Sequence, residues 1–298
     1  MTERNPSLGI MLMILVTLIF ASQDAVSRHL ASNYNILMVV MIRYWFFAAF
    51  VIWLAFRQKG SIRAAAKTDQ VWTHILRGLL LVGEVCIMVV AFVKLGLVET
   101  HAVFTVYPLL VAALSGPVLG EKVGWRRWSA IGVGFIGVLV ILQPGFGVFS
   151  PYALLPLISA AMFGLYNLLT RLASRRDSSA TSFFWTGTVG AVAITFAGIW
   201  YMEPMTPADW GWMLVLSGLA LTGHFLLIKA YEYAEASTVQ PFAFFQLLFA
   251  SVIGVSIFGE VLHTNVMIGA VIVVSAGVFT LIRARQVARR DARSKAKA

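Results

Sequence analysis

The sequence predicts an all-α integral membrane protein, ten transmembrane helices arranged as two inverted five-helix repeats, and three observations carry that reading. Of the 298 residues 59% are hydrophobic and only 12% charged, and the mean hydropathy of +0.84 lies far above that of a water-soluble domain. The apolar runs reach the roughly 20 residues a helix needs to cross a bilayer, and they lack the period-2 alternation of barrel strands. The halves also echo one another at a nearly constant offset. Leu119-Gly120-Glu121 answers Phe258-Gly259-Glu260, Phe20 with Ser27-Arg28 answers Phe163 with Thr170-Arg171, Gly78 and Gly83 answer Gly218 and Gly223, and Gly137-Val138 answers Gly277-Val278, at offsets of 139 to 143.

The expected spans are 8–27, 36–56, 72–93, 101–119 and 127–142 in a first repeat (residues 1–145). Spans 151–170, 181–199, 210–230, 238–258 and 265–283 follow in a second repeat (residues 146–298), which ends in a basic tail. Five spans per repeat is an odd number, so the second repeat enters from the opposite side and is inverted. The first span is preceded only by Arg4 and followed by no clear small-residue cleavage site, so it is expected to be retained. With the N-terminus inside, 19 of the 23 Lys and Arg residues fall on the cytoplasmic side. Arg28 and Lys94 alone fall outside, and Arg43 and Arg77 lie within spans. By the positive-inside rule both termini are expected in the cytoplasm. The net charge of +10 is spread between apolar spans and needs no partner beyond anionic lipid, so no nucleic-acid partner is expected.

Chemistry-bearing motifs are few. Gly132-Val133-Gly134-Phe135-Ile136-Gly137 spells the dinucleotide fingerprint, but it lies inside an apolar span with no preceding strand, so helix packing is the expected role. One cysteine, Cys86, permits no internal disulfide, and the five histidines show no metal-ligand spacing. No phosphate-binding loop appears, which excludes an ATP-driven pump on this chain alone. No catalytic residue, cofactor or metal is expected, and an enzyme is not the reading.

The residues resemble those of the drug/metabolite transporter superfamily, specifically its ten-span EamA-type exporters. The run Ile42-Arg43-Tyr44-Trp45-Phe46-Phe47-Ala48 and the Gly-Glu closing each repeat before Ile131-Gly132 and Ile268-Gly269 carry the resemblance, which covers essentially the full chain. It is most like the bacterial inner-membrane exporters of neutral and aromatic amino acids. It implies alternating access through a central cavity lined mainly by spans three, four, eight and nine. Trp185 or a neighbour stands where a second-repeat arginine would be, so the role of Arg43 does not carry over there.

Charges inside the membrane mark function, because each costs several kcal/mol unless paired or hydrated. Arg43 and Glu84 reach a similar depth and are expected either to pair structurally or to serve substrate or proton coupling. Glu84 follows Gly83 as His224 follows Gly223, so the repeat makes the two positions equivalent. His101, Tyr107, Tyr166, Trp185, Phe242, Phe245 and Gln246 complete the expected substrate cavity, and Pro108 and Pro241 are candidate helix breaks or gates. Asp24, four residues before Arg28, is expected to form a helix-surface pair with it. The expected function is export of small metabolites, amino acids including aromatic ones foremost, from a bacterial cytoplasm. Alternatives are another metabolite or drug class, such as a nucleotide sugar, purine or cationic drug, or a membrane-embedded transferase. The expected partners are the substrate and the lipid bilayer, with a monomer expected and a dimer as the alternative.

Overall fold

A computed structural model describes residues 6–119, 124–142, 151–173, 176–233 and 240–295. Helix α1 spans Pro6–Asn33, α2 Ile36–Lys59, α3 Ile62–Ala66, α4 Val71–Leu95, α5 Leu97–Phe104, α6 Tyr107–Leu119 and α7 Trp125–Leu142. Helix α8 spans Leu154–Ala173, α9 Ser179–Gly198, α10 Pro207–Tyr233, α11 Phe245–Phe258 and α12 Thr264–Lys295. Six helices are long and apolar enough to cross a membrane, and four shorter apolar stretches, Leu97–Val111, Trp128–Leu142, Phe242–Phe258 and Thr264–Phe279, fall where the remaining spans are expected. No strand occurs among the described residues. The protein is an all-α membrane protein. The Gly120-Glu121 motif, Arg4 and the boundary between residues 145 and 146 lie outside the described residues.

Local chemistry sets the helix ends. Asn35, Ser61 and Ser178 occupy N-cap positions and accept from the amides of Leu37, Ala64 and Thr181, while Gly60 closes α2 in the left-handed conformation at φ 71°. Pro108 has no amide to continue a ladder, and the chain turns at Thr105–Val106 between α5 and α6, so the predicted single span 101–119 is two helices. The predicted ninth span is also divided. Pro241 sits in a 3-10 turn, Gln240–Phe244, that leads into α11.

The packing follows the repeat. Helix α1 lies along α10, and α8 along α4; α1 also meets α11, and α8 meets α6. The remaining principal neighbours are α2 with α9, α4 with α9 and its counterpart α10 with α2, α5 with α11, and α7 with α12. Exchanging the two halves maps this set of neighbours onto itself. Glycines allow the close crossings. A Cβ at Gly223 would lie 2.5 Å from Phe20, and one at Gly83 2.8 Å from Met162, which is the corresponding contact in the other half. Gly137 and Gly269 set α7 against α12, where a Cβ on Gly137 would lie 2.9 Å from the Gly269 carbonyl oxygen. Two of the fingerprint-like glycines, Gly134 and Gly137, thus serve helix packing, while Gly132 faces open space.

Candidate functional site

A cavity opens between α1, α2, α4, α8, α10 and α11, with room for water centres over about 120 Å³. About 10–15 Å³ of such space holds one water, so the cavity takes several waters or the polar head of a small metabolite. Its aromatic wall is Phe20, Phe92, Phe104, Tyr107, Phe163 and Tyr166, and its polar groups are Gln23, Asp24, Arg43, Glu84, Asn167, His224 and Gln246. Phe104, Tyr107, Phe163 and Tyr166 form a continuous run of ring contacts with centroids 5.0 to 5.9 Å apart. Phe20 and Phe163, at equivalent positions in the two halves, both face this space.

Arg43 is 7% exposed and belongs to the cavity wall. No ion pair or hydrogen bond from its guanidinium to a described residue is formed. The expected Arg43–Glu84 pair is therefore absent: the Glu84 Oε1 accepts instead from Ser159 Oγ at 2.9 Å, across the α4–α8 contact. A guanidinium carries five N–H donors and a charge that cannot be shed. Buried and facing a cavity, it has the chemistry to receive an anionic group. Glu84 keeps lone pairs directed at the same space. His224 lies between two rings, stacked on Phe47 at 5.8 Å and tilted against Phe20 at 5.2 Å.

Asp24 corrects the sequence reading. It does not pair with Arg28, which is bound to Glu260 of the segment following α11 and sits 4.1 Å over the Phe258 ring. Asp24 turns inward. Gln246 Nε2 donates to its Oδ2 at 3.1 Å, Gln23 Nε2 to its Oδ1 at 3.3 Å, and His101 Nε2 lies 3.2 Å from Oδ2 at an angle that is not that of a hydrogen bond. The signal was in α1 itself, where Met13, Thr17, Phe20, Asp24 and Ser27 recur at helical spacing on one face.

Four expected cavity residues lie elsewhere, and the first of them, His101, borders a separate small void beside Pro108 and Leu247. Phe242 packs against Met13 and Val16, Phe245 is 37% exposed and stacks on Phe242, and neither lines the cavity. Trp185 donates from its indole N–H to the Ala66 carbonyl at 3.1 Å and stacks on His74. It belongs to a polar cluster at one end of the bundle that sequence reasoning did not see. There the fully buried Arg77 donates to Thr170 Oγ1 at 2.9 Å and to His74 Nδ1 at 2.9 Å, and its guanidinium carbon lies 5.3 Å from the Tyr166 ring centre. Arginine can only donate, so His74 Nδ1 accepts and its Nε2–H donates to Asp177 at 2.9 Å. Asp177 also accepts from Thr68 and Gln70. Partial burial acts to raise the Asp177 carboxyl, and the hydrogen bonds from Thr68, His74 and Gln70 outweigh it, holding the group below the usual carboxylate range.

A cavity walled by helices from both halves, with a charge at membrane depth that has no ion pair among the described residues, is the arrangement of a carrier. The EamA-like transporter family matches residues 7–143 and again 150–282. The chain belongs to that family. It is a transporter and not an enzyme, and its relatives are bacterial multi-pass membrane proteins. It is 24% identical over 276 residues to an S-adenosylmethionine uptake transporter of Rickettsia bellii, covering 92% of this chain and 94% of the relative. It is 28% identical over 283 residues to a riboflavin transporter of Vibrio cholerae, covering 93% and 94%. It is 23% identical over 270 residues to the pseudopaline exporter CntI of Pseudomonas aeruginosa, covering 90% and 94%. A solved crystal structure superposes with a TM-score of 0.62 at 16% identity over 96% of this transporter and 99% of that chain, a likeness of fold.

Proposed function

We propose that this transporter exports small zwitterionic metabolites, amino acids and molecules built on an amino-acid head, from a bacterial cytoplasm by alternating access. In this reading the chain lies in the inner membrane with both termini in the cytoplasm, and the two halves are inverted repeats that rock about the cavity. The observation that carries it is Arg43: a permanent cation at membrane depth, without an ion pair among the described residues and open to the cavity, calls for an anion supplied by the substrate. A carboxylate supplies it bidentately. Glu84 provides an acceptor for the ammonium, and the wall from Phe104 to Tyr166 provides faces for a ring or for a cationic centre. S-adenosylmethionine, which names the substrate of one relative, has an amino-acid head joined to a ring system and suits the same arrangement.

The aromatic wall alone favours a second reading, a neutral heteroaromatic cargo such as the riboflavin that names another relative. Flux of radiolabelled phenylalanine, threonine, S-adenosylmethionine and riboflavin in proteoliposomes separates the two. Under the first reading phenylalanine and S-adenosylmethionine move, and Arg43→Gln stops them. Riboflavin flux unaffected by Arg43→Gln, with no amino-acid flux, overturns it.

A further inference from the structure

Four buried side-chain polar atoms lack a hydrogen-bond partner among the described residues: Gln23 Oε1, Ser27 Oγ, Thr100 Oγ1 and His101 Nε2. They are not scattered. Gln23 and Ser27 lie one turn apart on α1 on either side of Asp24, Thr100 and His101 are neighbours on α5, and the 3.2 Å approach of His101 to Asp24 joins the two segments. An unsatisfied buried polar atom is costly, so four on two adjoining turns mark a place built for something small and polar. His101 and Gln246 also border a separate void of about 10 Å³ beside Tyr107 and Pro108, close to the size of one water.

We propose that Asp24 and His101 form a proton-binding site that couples transport to a proton gradient. The proposal rests on the chain being a transporter, not on which metabolite it carries. Asp24 is poorly placed to receive a substrate ammonium, because Gln246 and Gln23 already donate to both of its oxygens and His101 stands at Oδ2. Both Asp24 oxygens already accept a hydrogen bond, whereas Glu84 accepts a side-chain hydrogen bond at one oxygen only. With the acid ionised and the imidazole neutral, the pair carries one negative charge. One proton, delivered by water from the cavity, adds to a lone pair of Asp24 Oδ2 or His101 Nε2 and brings that charge to zero. A small turn of the ring then aligns the 3.2 Å contact as a hydrogen bond and satisfies Nε2. Release to water on the other side restores the starting state, so one proton crosses per cycle with no bond broken in the protein.

The charged groups around the site come from several elements. Around the cavity, Asp24 is faced by Arg43 of α2, Glu84 of α4, His224 of α10, Tyr107 of α6 and Tyr166 of α8. Arg28 on its own helix is bound to Glu260, and residues 240–258 contain no titratable side chain. The repeat places Asn167 where the first half has Asp24, so the second half offers no competing acid at the equivalent point.

The test uses the full chain in liposomes on a solid-supported membrane, with rapid pH steps and no substrate. The wild type displaces charge when the pH steps; Asp24→Asn loses that displacement while keeping its melting temperature. Gln246→Leu, which removes one donor and leaves the acid in place, moves the midpoint of the displacement and keeps the test usable if Asp24→Asn fails to fold. A wild-type protein that is folded yet displaces no charge overturns the proposal, as does charge movement retained in Asp24→Asn or elicited by a sodium step instead. Failure of amino-acid flux leaves this result standing, and the converse also holds.

Discussion

Arg43 and Glu84 sit in one cavity wall without touching, and that separation decides what each does. Removing a charge that has no partner among the described residues relieves a desolvation penalty. We therefore expect Arg43→Gln to raise the melting temperature in detergent while transport falls by at least about tenfold, equivalent to about 1.4 kcal/mol of lost binding. A lowered melting temperature would mean a structural role. Asp177 behaves in the opposite way. Its carboxyl is held below its ordinary range by Thr68, His74 and Gln70, so the stabilisation is fully present above the unfolded value, about 3.9, and is lost as pH falls through the lower folded value. Asp177→Ala is expected to melt at a lower temperature than wild type at neutral pH, with the gap closing in strong acid as followed by thermal shift. At this scale the sequence was legible where a charge stood alone in an apolar run, as with Arg43 and Glu84. It misled at Asp24, because spacing to Arg28 shows which residues share a helix face and not which neighbour from another helix, here Glu260, claims the arginine.

Elements show where the backbone was bent to serve the site. The turn at Thr105–Val106 and the 3-10 turn Gln240–Phe244 fall at corresponding places in the two halves, each beside a proline visible in the sequence. Proline announces a break, yet it does not announce which side chains the break redirects. Phe242 and Phe245 were expected in the cavity, and the turn before α11 instead sends them toward α1 and the exterior, leaving Gln246 inside. Gly96 between α4 and α5 has φ 86°, and a Cβ there would lie 2.6 Å from a Glu260 carboxylate oxygen. Gly96→Ala is therefore expected to cost about 1–3 kcal/mol of stability, read as a lower melting temperature. An unchanged value would show that Glu260 yields.

Across the whole molecule the neighbours are symmetric and the chemistry is not. Glu84 corresponds to His224 and Asp24 to Asn167, so helices related by the repeat bring different charges to one cavity. Glycines at helix crossings tolerate little change: Gly137 and Gly269 meet backbone to backbone. Gly137→Leu is expected to drive α7 from α12, and loss of folded protein in size-exclusion chromatography checks it. Cavity membership was only half readable, since it depends on which of several polar stripes the packing turns inward. The Glu260 carboxylate spans several elements at once. It accepts from the Leu97 and Val98 amides at 2.8 Å each while bound to Arg28, so one side chain fastens the ends of α1, α5 and α11. Three helices riveted at one rim cannot splay there independently. Either they swing together as a rigid flap, or the rivet shears on every stroke, and a cysteine crosslink laid across that rim would tell a hinge from a door.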